Sequence, residues 1–436
     1  MSSQLDLIGT TPTLKTLPSA KIKRSELDGV HAWTNFYAAY SEKFVLSAIS
    51  AIGYTSKSKV LDPFVGSGTT LVCCLKLGLP AIGIDLDPFS CLLARSKVSI
   101  NANPSNVQKF LKLGTRKKPL NTFSEDAKLL FDNDCLCYAS TVFSRILSAT
   151  NCTPESLLDT LLSDSIGKYD SEVVALTALS IGASESARLV RGSNPTWYRK
   201  ALVGEKDNIE ALYSSTQSIH KRMLLDIGEV AKEVPDGKRD IRIYNADITT
   251  FRKTNREKVD IIITSPPYLT RLDYVIKHLP NLLILSGVIN IDINSLRKRM
   301  IGTSKIVNKE DFNLEWGKTC LNLLNLIKNH KSYASESYYV WTYSQYFSSI
   351  FNAIEFISSK LKKKGKGLII VQNSTYKDLV IPLSEIICEM LMAKGLFAEN
   401  IRQEKITRNM KFINPKLSKD DKKSFQSEDV IHYKKL

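Results

Sequence analysis

Short apolar runs and helical periods alternate along most of the chain. The short runs are rich in β-branched residues and end in polar side chains, which predicts strands at 59–62, 81–85, 241–247, 259–264 and 368–373. Apolar positions spaced for one helical face lie between these runs, as at 34–52 and 381–394. Strands that alternate with helices predict an α/β fold, in which a mostly parallel sheet carries helices on both faces.

Residues 100–238 interrupt this alternation. Their apolar positions repeat with a helical period, most clearly at 171–190. We therefore predict one α/β domain formed by 34–99 and 239–436, and a mostly helical insertion at 100–238. Residues 1–33 show no sustained period, and we interpret them as an N-terminal leader.

The chain is strongly basic, with a net charge of +16 and an isoelectric point of about 9.3. A basic protein attracts polyanions, so nucleic acid is the expected partner, and a merely solvated basic surface is the alternative. The lysine run at 362–366 is followed by Gly367, which we interpret as the last turn of a helix and its stop signal. Residues 402–436 carry ten Lys or Arg against five acids. This tail either lies along nucleic acid or adds a strand to the sheet at 430–433.

The eight cysteines show no spacing typical of a metal site, because Cys135 and Cys137 have one residue too few between them for a CxxC pair. We expect reduced thiols and no metal. The N-terminus lacks a signal pattern, and no apolar run reaches the roughly 18 residues that span a bilayer. These features predict a cytoplasmic protein without a membrane segment.

A strand, a glycine loop and a helix follow one another at 59–76. The residues that matter are Asp62 at the strand end, Phe64, Gly66 and Gly68 in the loop, and Thr69 at the helix start. Glycines let backbone N–H groups approach a ligand at the positive end of the helix dipole. The next strand ends in Asp85, where a carboxylate commonly accepts ribose hydroxyls. The loop lacks both the GxGxxG pattern and a triphosphate-binding Gly-Lys-Ser/Thr ending, so a different nucleotide-like ligand is predicted.

A second strand end carries an unusual loop. The strand at 259–264 runs into Ser265, Pro266, Pro267 and Tyr268. Prolines fix φ and cannot continue a strand ladder, so the loop is stiff. Ligands bind beyond the carboxyl ends of parallel strands, which places this loop near the ligand. A rigid turn without catalysis is the alternative interpretation.

Together, the segments DPFVGSGTT, GID and TSPPY resemble the S-adenosylmethionine-dependent amino-methyltransferases of DNA, most closely those that make N4-methylcytosine. The resemblance covers roughly 34–98 and 240–400. It implies a Rossmann-like methyltransferase sheet, with the loop from Phe64 to Gly68 at the methionine end of the cofactor. It further implies that Asp85 takes the ribose hydroxyls and that Asp247 takes the adenine amino group. The helix at 34–52 would be an additional cofactor-binding element.

The chemistry of amino methylation fits these residues. An exocyclic amino nitrogen is a poor nucleophile because its lone pair is delocalised into the ring. Acceptors aimed at both N–H groups, the Ser265 hydroxyl and the Pro266 carbonyl, would localise that lone pair for in-line attack on the methyl group. The base must leave the duplex stack, and Tyr268 would stack on it. Carbon-5 methylation would instead need a Pro-Cys nucleophile, which this chain lacks.

The resemblance leaves the target-recognition region open, because the long insertion lies between Asp85 and Asp247. The region could be 100–238, 275–335 or the C-terminal tail. Candidate nucleic-acid contacts combine basic and aromatic side chains, and they are Arg191, Trp197, Tyr198, Arg199, Lys200, Arg297, Lys298 and Arg299. Core packing of Trp197 and Tyr198, and a solvated loop at 296–304, are the alternatives.

The predicted function is therefore methyl transfer from S-adenosylmethionine to cytosine N4 in double-stranded DNA, in a restriction-modification or related defence context. A companion restriction endonuclease is a candidate partner, and the oligomeric state stays open, with a monomer favoured. Three rival functions remain at this point: an adenine-N6 DNA methyltransferase, an RNA methyltransferase, and a noncatalytic nucleic-acid-binding protein with the same fold.

Overall fold

A seven-stranded sheet forms the centre of the computed structural model. The structure describes residues 12–22, 27–34, 40–114, 118–163, 167–187, 209–237, 240–249, 251, 256–269, 273–309, 311–405 and 427–436. The strands are β1 (Val60–Asp62), β2 (Ala81–Asp85), β3 (Ile241–Asn245), β4 (Val259–Thr264), β5 (Leu361–Gln372), β8 (Leu396–Lys405) and β9 (Ser427–Lys435). A separate hairpin pairs β6 (Ser374–Tyr376) with β7 (Leu379–Ile381).

The strand order is β3-β2-β1-β4-β5-β9-β8. Strands β1 to β5 pair in parallel, whereas β9 is antiparallel to both of its neighbours. The order reverses between β1 and β4, so this sheet has a switch point where ligands are expected to bind. The predicted Rossmann-like α/β class is confirmed.

Helices cover both faces of the sheet. The helices before β3 are α1 (Glu42–Ile52), α2 (Thr69–Lys76), α3 (Pro88–Lys97), α4 (Pro104–Leu111), α5 (Glu125–Leu130), α6 (Asn133–Thr150), α7 (Pro154–Ser163), α8 (Asp170–Ser186) and α9 (Ile209–Glu233). Those after β4 are α10 (Tyr274–Lys277), α11 (Leu279–Leu285), α12 (Ile293–Arg299), α13 (Lys318–Lys328), α14 (Val340–Lys360) and α15 (Leu383–Ala393). Short 3-10 turns lie at Gly29–Ala32 and Leu314–Trp316, and a π-helical turn at Ser335–Tyr339 precedes α14.

Alternate strand residues divide the core into two layers. Val60, Ile261 and Ile263 face the layer that contains α1, α2, α3 and α8. Leu61 and Ile262 face the other layer, which contains α13, α14 and α15. Burial on both faces explains why these strands read as continuous apolar runs in the sequence.

The described part of residues 100–238 is helical and packs on the sheet layer through α8. The Arg95 guanidinium in α3 donates to the Asp170 carboxylate at the start of α8 over 2.8 Å, and only 1% of either side chain is exposed. Asp170 also accepts the backbone N–H groups of Asn101 and Gly167. One buried ion pair therefore joins the helical segment to the strand-helix units that precede it.

The helix predicted at 34–52 is wrong at its N-terminal end. The helix predicted at 34–52 begins only at Glu42, where the Ser41 hydroxyl accepts the Phe44 N–H, because this cap ends the extended segment that pairs Tyr40 with Lys21. Residues 35–39 lie outside the described part. For the C-terminal tail, the alternative that it adds a strand to the sheet is confirmed, because residues 427–435 form β9. Residues 406–426 lie outside the described part.

The lysine run at 362–366 does not end a helix. Helix α14 ends at Lys360, and the lysines lie within β5, where the pairing with β4 shifts from Val259↔Leu361 to Ile261↔Lys366. The extra residues form a bulge, with Lys364 at φ 64°. Lys366 does reach a helix end, because its ammonium donates to the Ile52 carbonyl of α1 over 2.9 Å.

Among the described residues, no helix has both the length and the apolar character needed to cross a bilayer. The same residues contain no cluster of three or more His, Cys, Asp or Glu side chains arranged to bind a metal ion.

Candidate functional site

A cavity of about 880 Å³, including its open mouth, lies at the carboxyl ends of the parallel strands. Its walls come from the glycine loop after β1, the turn after β2, the segment after β3, the loop after β4 and residues 299–301. The predicted residues that line it are Phe64, Gly66, Thr69, Asp85, Asp247, Ser265, Pro267 and Arg299. The fold thus brings both sequence motifs to one cavity.

The glycine loop owes its shape to two glycines with positive φ. Gly66 has φ 47° and donates its N–H to Asp85 Oδ2 over 2.9 Å. Gly68 has φ 85°, and a Cβ there would lie 2.7 Å from the Ala94 Cα of α3. Gly68 therefore allows α2 to pack closely on α3, while Phe64, Gly66 and Thr69 face the cavity.

Asp85 is oriented by the backbone on both of its oxygens. Gly66 N–H donates to Oδ2 and Asp87 N–H donates to Oδ1, each over 2.9 Å. Burial and the nearby Asp87 carboxylate raise the pKa of Asp85 to about 7. A carboxylate oxygen has more than one acceptor site, so Asp85 can accept two further hydroxyl protons from a ligand in the cavity.

Asp87 is a second carboxylate in the cavity wall, and the sequence analysis missed it. Its Oδ2 accepts Ser90 Oγ over 3.0 Å and pairs with His278 Nδ1 over 2.6 Å. Its Oδ1 accepts the Phe89 N–H and so caps α3. The Asp-Pro pair at 87–88 was a readable helix-start signal, but the partner His278 is far away in sequence.

Asp62 lies behind the cavity wall, with no exposed area. Its carboxylate accepts hydroxyls from Tyr40 (2.5 Å), Thr70 (2.7 Å) and Thr264 (2.7 Å), and the Phe64 N–H at 3.1 Å. Burial nevertheless raises the pKa of Asp62. Because Thr264 immediately precedes Ser265, Asp62 fixes the glycine loop and the Ser-Pro-Pro-Tyr loop relative to each other.

Asp247 follows β3 and is accompanied by a cation. Its Oδ1 accepts the Thr249 N–H and hydroxyl, while Arg299 Nε lies 3.5 Å from Oδ2. Arg297 instead pairs with Asp273 over 2.7 Å, and the Lys298 side chain is exposed. Two of the three basic residues predicted as nucleic-acid contacts on α12 are thus engaged with carboxylates, and Arg299 helps to form the cavity wall.

The loop after β4 carries a buried hydroxyl with unused bonding capacity. Ser265 Oγ is buried in the cavity wall and makes no complete hydrogen bond with any described residue. It lies close enough to the Tyr268 hydroxyl to oppose the rise in the pKa of that phenol, which burial and Glu428 produce. A buried hydroxyl whose bonding capacity is not filled is costly, so this hydroxyl is well placed for a ligand.

Two distant residues brace the same loop. The Tyr346 hydroxyl of α14 donates to the Pro267 carbonyl over 3.1 Å, and the Tyr268 hydroxyl donates to Glu428 Oε1 over 3.4 Å. Pro266, within the loop, is buried. Neither Tyr346 nor Glu428 belongs to a recognisable motif, and no local sequence signal could have identified them.

Five predicted nucleic-acid contacts lie outside the residues that the structure describes: Arg191, Trp197, Tyr198, Arg199 and Lys200.

The cavity fits S-adenosylmethionine in its chemistry. Asp85 offers free acceptor capacity to a ribose diol, and Asp247 offers a carboxylate to an amino group. The Ser265 hydroxyl, which makes no complete hydrogen bond with a described residue, lies in the same wall, where the target amino group would have to meet the methyl donor.

Comparison with known proteins supports the resemblance. Residues 17–96 match the DNA methylase family model N6_N4_Mtase. The chain is 24% identical over 296 residues to Type II methyltransferase M.BsoBI of Geobacillus stearothermophilus, which is 62% of this chain and 55% of that protein. It is 32% identical over 118 residues to Type II methyltransferase M.MjaII of Methanocaldococcus jannaschii, which is 27% of this chain and 20% of that protein.

The matched part thus spans about half of the first relative and a fifth of the second. A solved rRNA methyltransferase, aviRa from Streptomyces viridochromogenes, aligns over 94% of this chain and 93% of its own. The identity there is 10% and the TM-score 0.30.

Proposed function

We propose that this chain, which belongs with the DNA amino-methyltransferases of the N4/N6 family, methylates the N4 amino group of cytosine in double-stranded DNA. S-adenosylmethionine would supply the methyl group. The observation that carries the proposal is the buried Ser265 hydroxyl, which makes no complete hydrogen bond with any described residue and lies in the wall of the cavity that also contains Asp85. The resemblance of the Ser-Pro-Pro-Tyr loop to that of the N4-cytosine members favours cytosine over adenine.

The proposed binding mode follows the cavity from end to end. Asp85 holds the ribose hydroxyls, Asp247 holds the adenine amino group, and Phe64 to Gly68 surround the methionine end. Arg299 already pairs with Asp247, so the adenine would join that pair or displace the guanidinium. The cofactor supplies an electrophilic methyl group on a sulfonium. No metal is needed for this transfer.

At the other end, the loop after β4 prepares the nucleophile. Ser265 Oγ and the Pro266 carbonyl accept the two amino N–H bonds, which favours a pyramidal nitrogen with a localised lone pair. Tyr268, which follows the cavity-lining Pro267, would stack on the flipped base. As the new N–C bond forms, the bond between the sulfonium sulfur and the methyl carbon would break and S-adenosylhomocysteine would be the leaving group. The amino nitrogen would then release one proton to solvent.

Asp85→Asn is expected to weaken S-adenosylmethionine binding by about tenfold to a hundredfold, since a hydrogen bond to a charged group contributes about 1.5–3 kcal/mol. The pKa of Asp85 is about 7, so the carboxylate is ionised above that pH and neutral below it. Wild-type affinity should therefore fall as the pH drops from 8 to 6, while the variant stays flat. Isothermal titration calorimetry at both pH values measures this. Equal affinity of both proteins at pH 8 would place the ribose elsewhere.

The target base is tested directly. Duplex DNA is incubated with the protein and S-adenosylmethionine, digested to nucleosides and analysed by mass spectrometry. We expect N4-methyldeoxycytidine. N6-methyldeoxyadenosine would instead assign the adenine reaction, and methyl transfer only to structured RNA would assign an RNA substrate. Cofactor binding without any transfer would support a noncatalytic role.

The biological setting is proposed from the relatives. Both curated relatives are Type II methyltransferases, so we propose a restriction-modification context and a companion endonuclease acting on the same DNA sequence. We further propose a cytoplasmic monomer. DNA contacts would come from α12 and from the basic and aromatic residues near 191–200.

A further inference from the structure

The carboxylate of Glu428 contacts the loop that carries the proposed chemistry. Tyr268 Oη donates to Glu428 Oε1 over 3.4 Å, across 160 positions of sequence. Glu428 lies in β9, at the same end of the sheet as the carboxyl end of β5, where it pairs with Gln372. The last strand of the sheet thereby reaches the loop that follows its fourth strand.

The position of Glu428 is fixed by its neighbours in β9. Asn373 donates to Ser427 Oγ over 3.0 Å and to Asp429 Oδ2 over 2.9 Å. Successive side chains of a strand point to opposite faces, so these two bonds on one side hold Glu428 on the other. The Tyr268 hydroxyl therefore meets an acceptor whose backbone cannot move away easily.

The surroundings make the charge of Glu428 sensitive to pH. Burial is the main cause that raises the pKa of Glu428 to about 7. The carboxylate of Glu404, the residue of β8 that lies opposite Glu428 in the sheet, adds to the rise. Lys21 from the N-terminal segment, the hydrogen bond from Tyr268, and Arg402 from β8 act in the opposite direction.

We propose that Glu428 is a positioning residue for methyl transfer: its ionised carboxylate accepts the Tyr268 hydroxyl and holds the ring in the orientation that stacks on the target base. This inference rests on the proposed function. A charged acceptor forms a stronger hydrogen bond than a neutral acid does. Protonation of Glu428 therefore loosens Tyr268, and the turnover rate falls.

The turnover rate should depend on pH, because only the ionised form of Glu428 holds Tyr268 firmly. At saturating cofactor and DNA, kcat should rise by about tenfold as the pH increases through about 7, which is the change that the stronger bond supplies. Asp85 also titrates near this pH, but its ionisation acts on cofactor affinity and is removed by saturation.

Two substitutions test the origin of that pH dependence. Glu428→Gln cannot titrate, so its kcat should be independent of pH between 6 and 8. Glu404→Gln is the matched control, because it removes a negative charge that raises the pKa of Glu428 without contacting Tyr268. The decrease of kcat at low pH should persist in this control and should occur at a lower pH. If the kcat of Glu428→Gln still decreases at low pH as in the wild-type protein, the proposal is overturned.

A double-mutant cycle tests whether Glu428 acts through Tyr268. In a Tyr268→Phe background, Glu428→Gln should change neither kcat nor its pH profile further, whereas a purely structural role would leave the two effects additive. Additive effects overturn the proposal.

One measurement does not need turnover. Carbon-13 NMR of labelled glutamates, with Glu428→Gln to identify the signal, follows the titration of Glu428 itself. Its midpoint should rise in Tyr268→Phe, because the hydrogen bond from Tyr268 lowers that pKa. An unchanged midpoint overturns the contact. A wild-type chain that binds cofactor but methylates nothing would overturn the proposed function instead, and the catalytic part of this inference with it.

Discussion

Ser265→Ala is expected to lower kcat for methyl transfer by about 10²- to 10³-fold, the range found when one preorganised hydrogen-bonding group is removed from an active site. The hydroxyl is buried in the cavity wall and has no complete hydrogen bond with any described residue. Among the described residues, its loss affects only the approach to the Tyr268 hydroxyl, which does not reach hydrogen-bond geometry, so the folded state should keep most of its stability. Single-turnover transfer of labelled methyl groups to duplex DNA measures the effect.

Affinity for S-adenosylmethionine should be unchanged in this variant, because Asp85 and Asp247, the two carboxylates proposed to bind the cofactor, are retained. Ser156→Ala provides a matched control, since Ser156 is an exposed serine at the start of α7. The control should retain wild-type turnover. If Ser265→Ala retains wild-type turnover as well, Ser265 does not orient the amino group, and the mechanism proposed for this loop is wrong.

The strand ends at the site could be predicted because they depend on local pattern. Asp62 and Asp85 end β1 and β2 at the predicted residues, and Thr69 begins α2. Apolar β-branched runs, a glycine loop and a helix-start signal are all properties of neighbouring residues. The same logic placed Ser265 at the carboxyl edge of the sheet, where the cavity lies.

The contacts that organise those strand ends could not be predicted, since they join residues far apart in sequence. Thr264 reaches Asp62 across 202 positions, and Tyr346 reaches Pro267 across 79. Such pairs depend on strand order, and helical or strand periods carry no information about which strands become neighbours. For the same reason, the sequence predicted Asp62 as a cofactor-binding residue, whereas the structure places it behind the cavity wall as the link between the two loops.

The lysine run shows how a local rule can apply to the wrong element. Cations before a glycine commonly end a helix, but the chain at 361–366 had already left α14 and entered a strand bulge. Lys366 then serves α1, a helix that precedes it by more than 300 positions. The favourable interaction between a cation and a helix end was predicted, but the helix was not.

Asp170→Asn is expected to lower the free energy of unfolding by about 3–5 kcal/mol, because it leaves the buried Arg95 guanidinium without its counter-charge. Domains are commonly stable by only about 5–15 kcal/mol, so this is a large fraction of the total. Urea denaturation followed by far-UV circular dichroism measures the change. Asn101 and Gly167 donate to different oxygens of Asp170, and an asparagine amide has one acceptor oxygen, so the loss includes one of these backbone bonds as well as the charge.

Arg95→Met combined with Asp170→Asn should recover much of the lost stability, because the uncompensated charge is then gone and an apolar side chain fills its place. The same urea denaturation curves show whether the helical segment unfolds together with the rest of the chain. Since α8 and α3 share one buried core, both substitutions should move a single cooperative transition. If Asp170→Asn instead splits the urea denaturation curve and shifts only one of its transitions, the helical segment is an independent folding unit. A separate subdomain with the predicted boundaries at 100 and 238 would behave in this way.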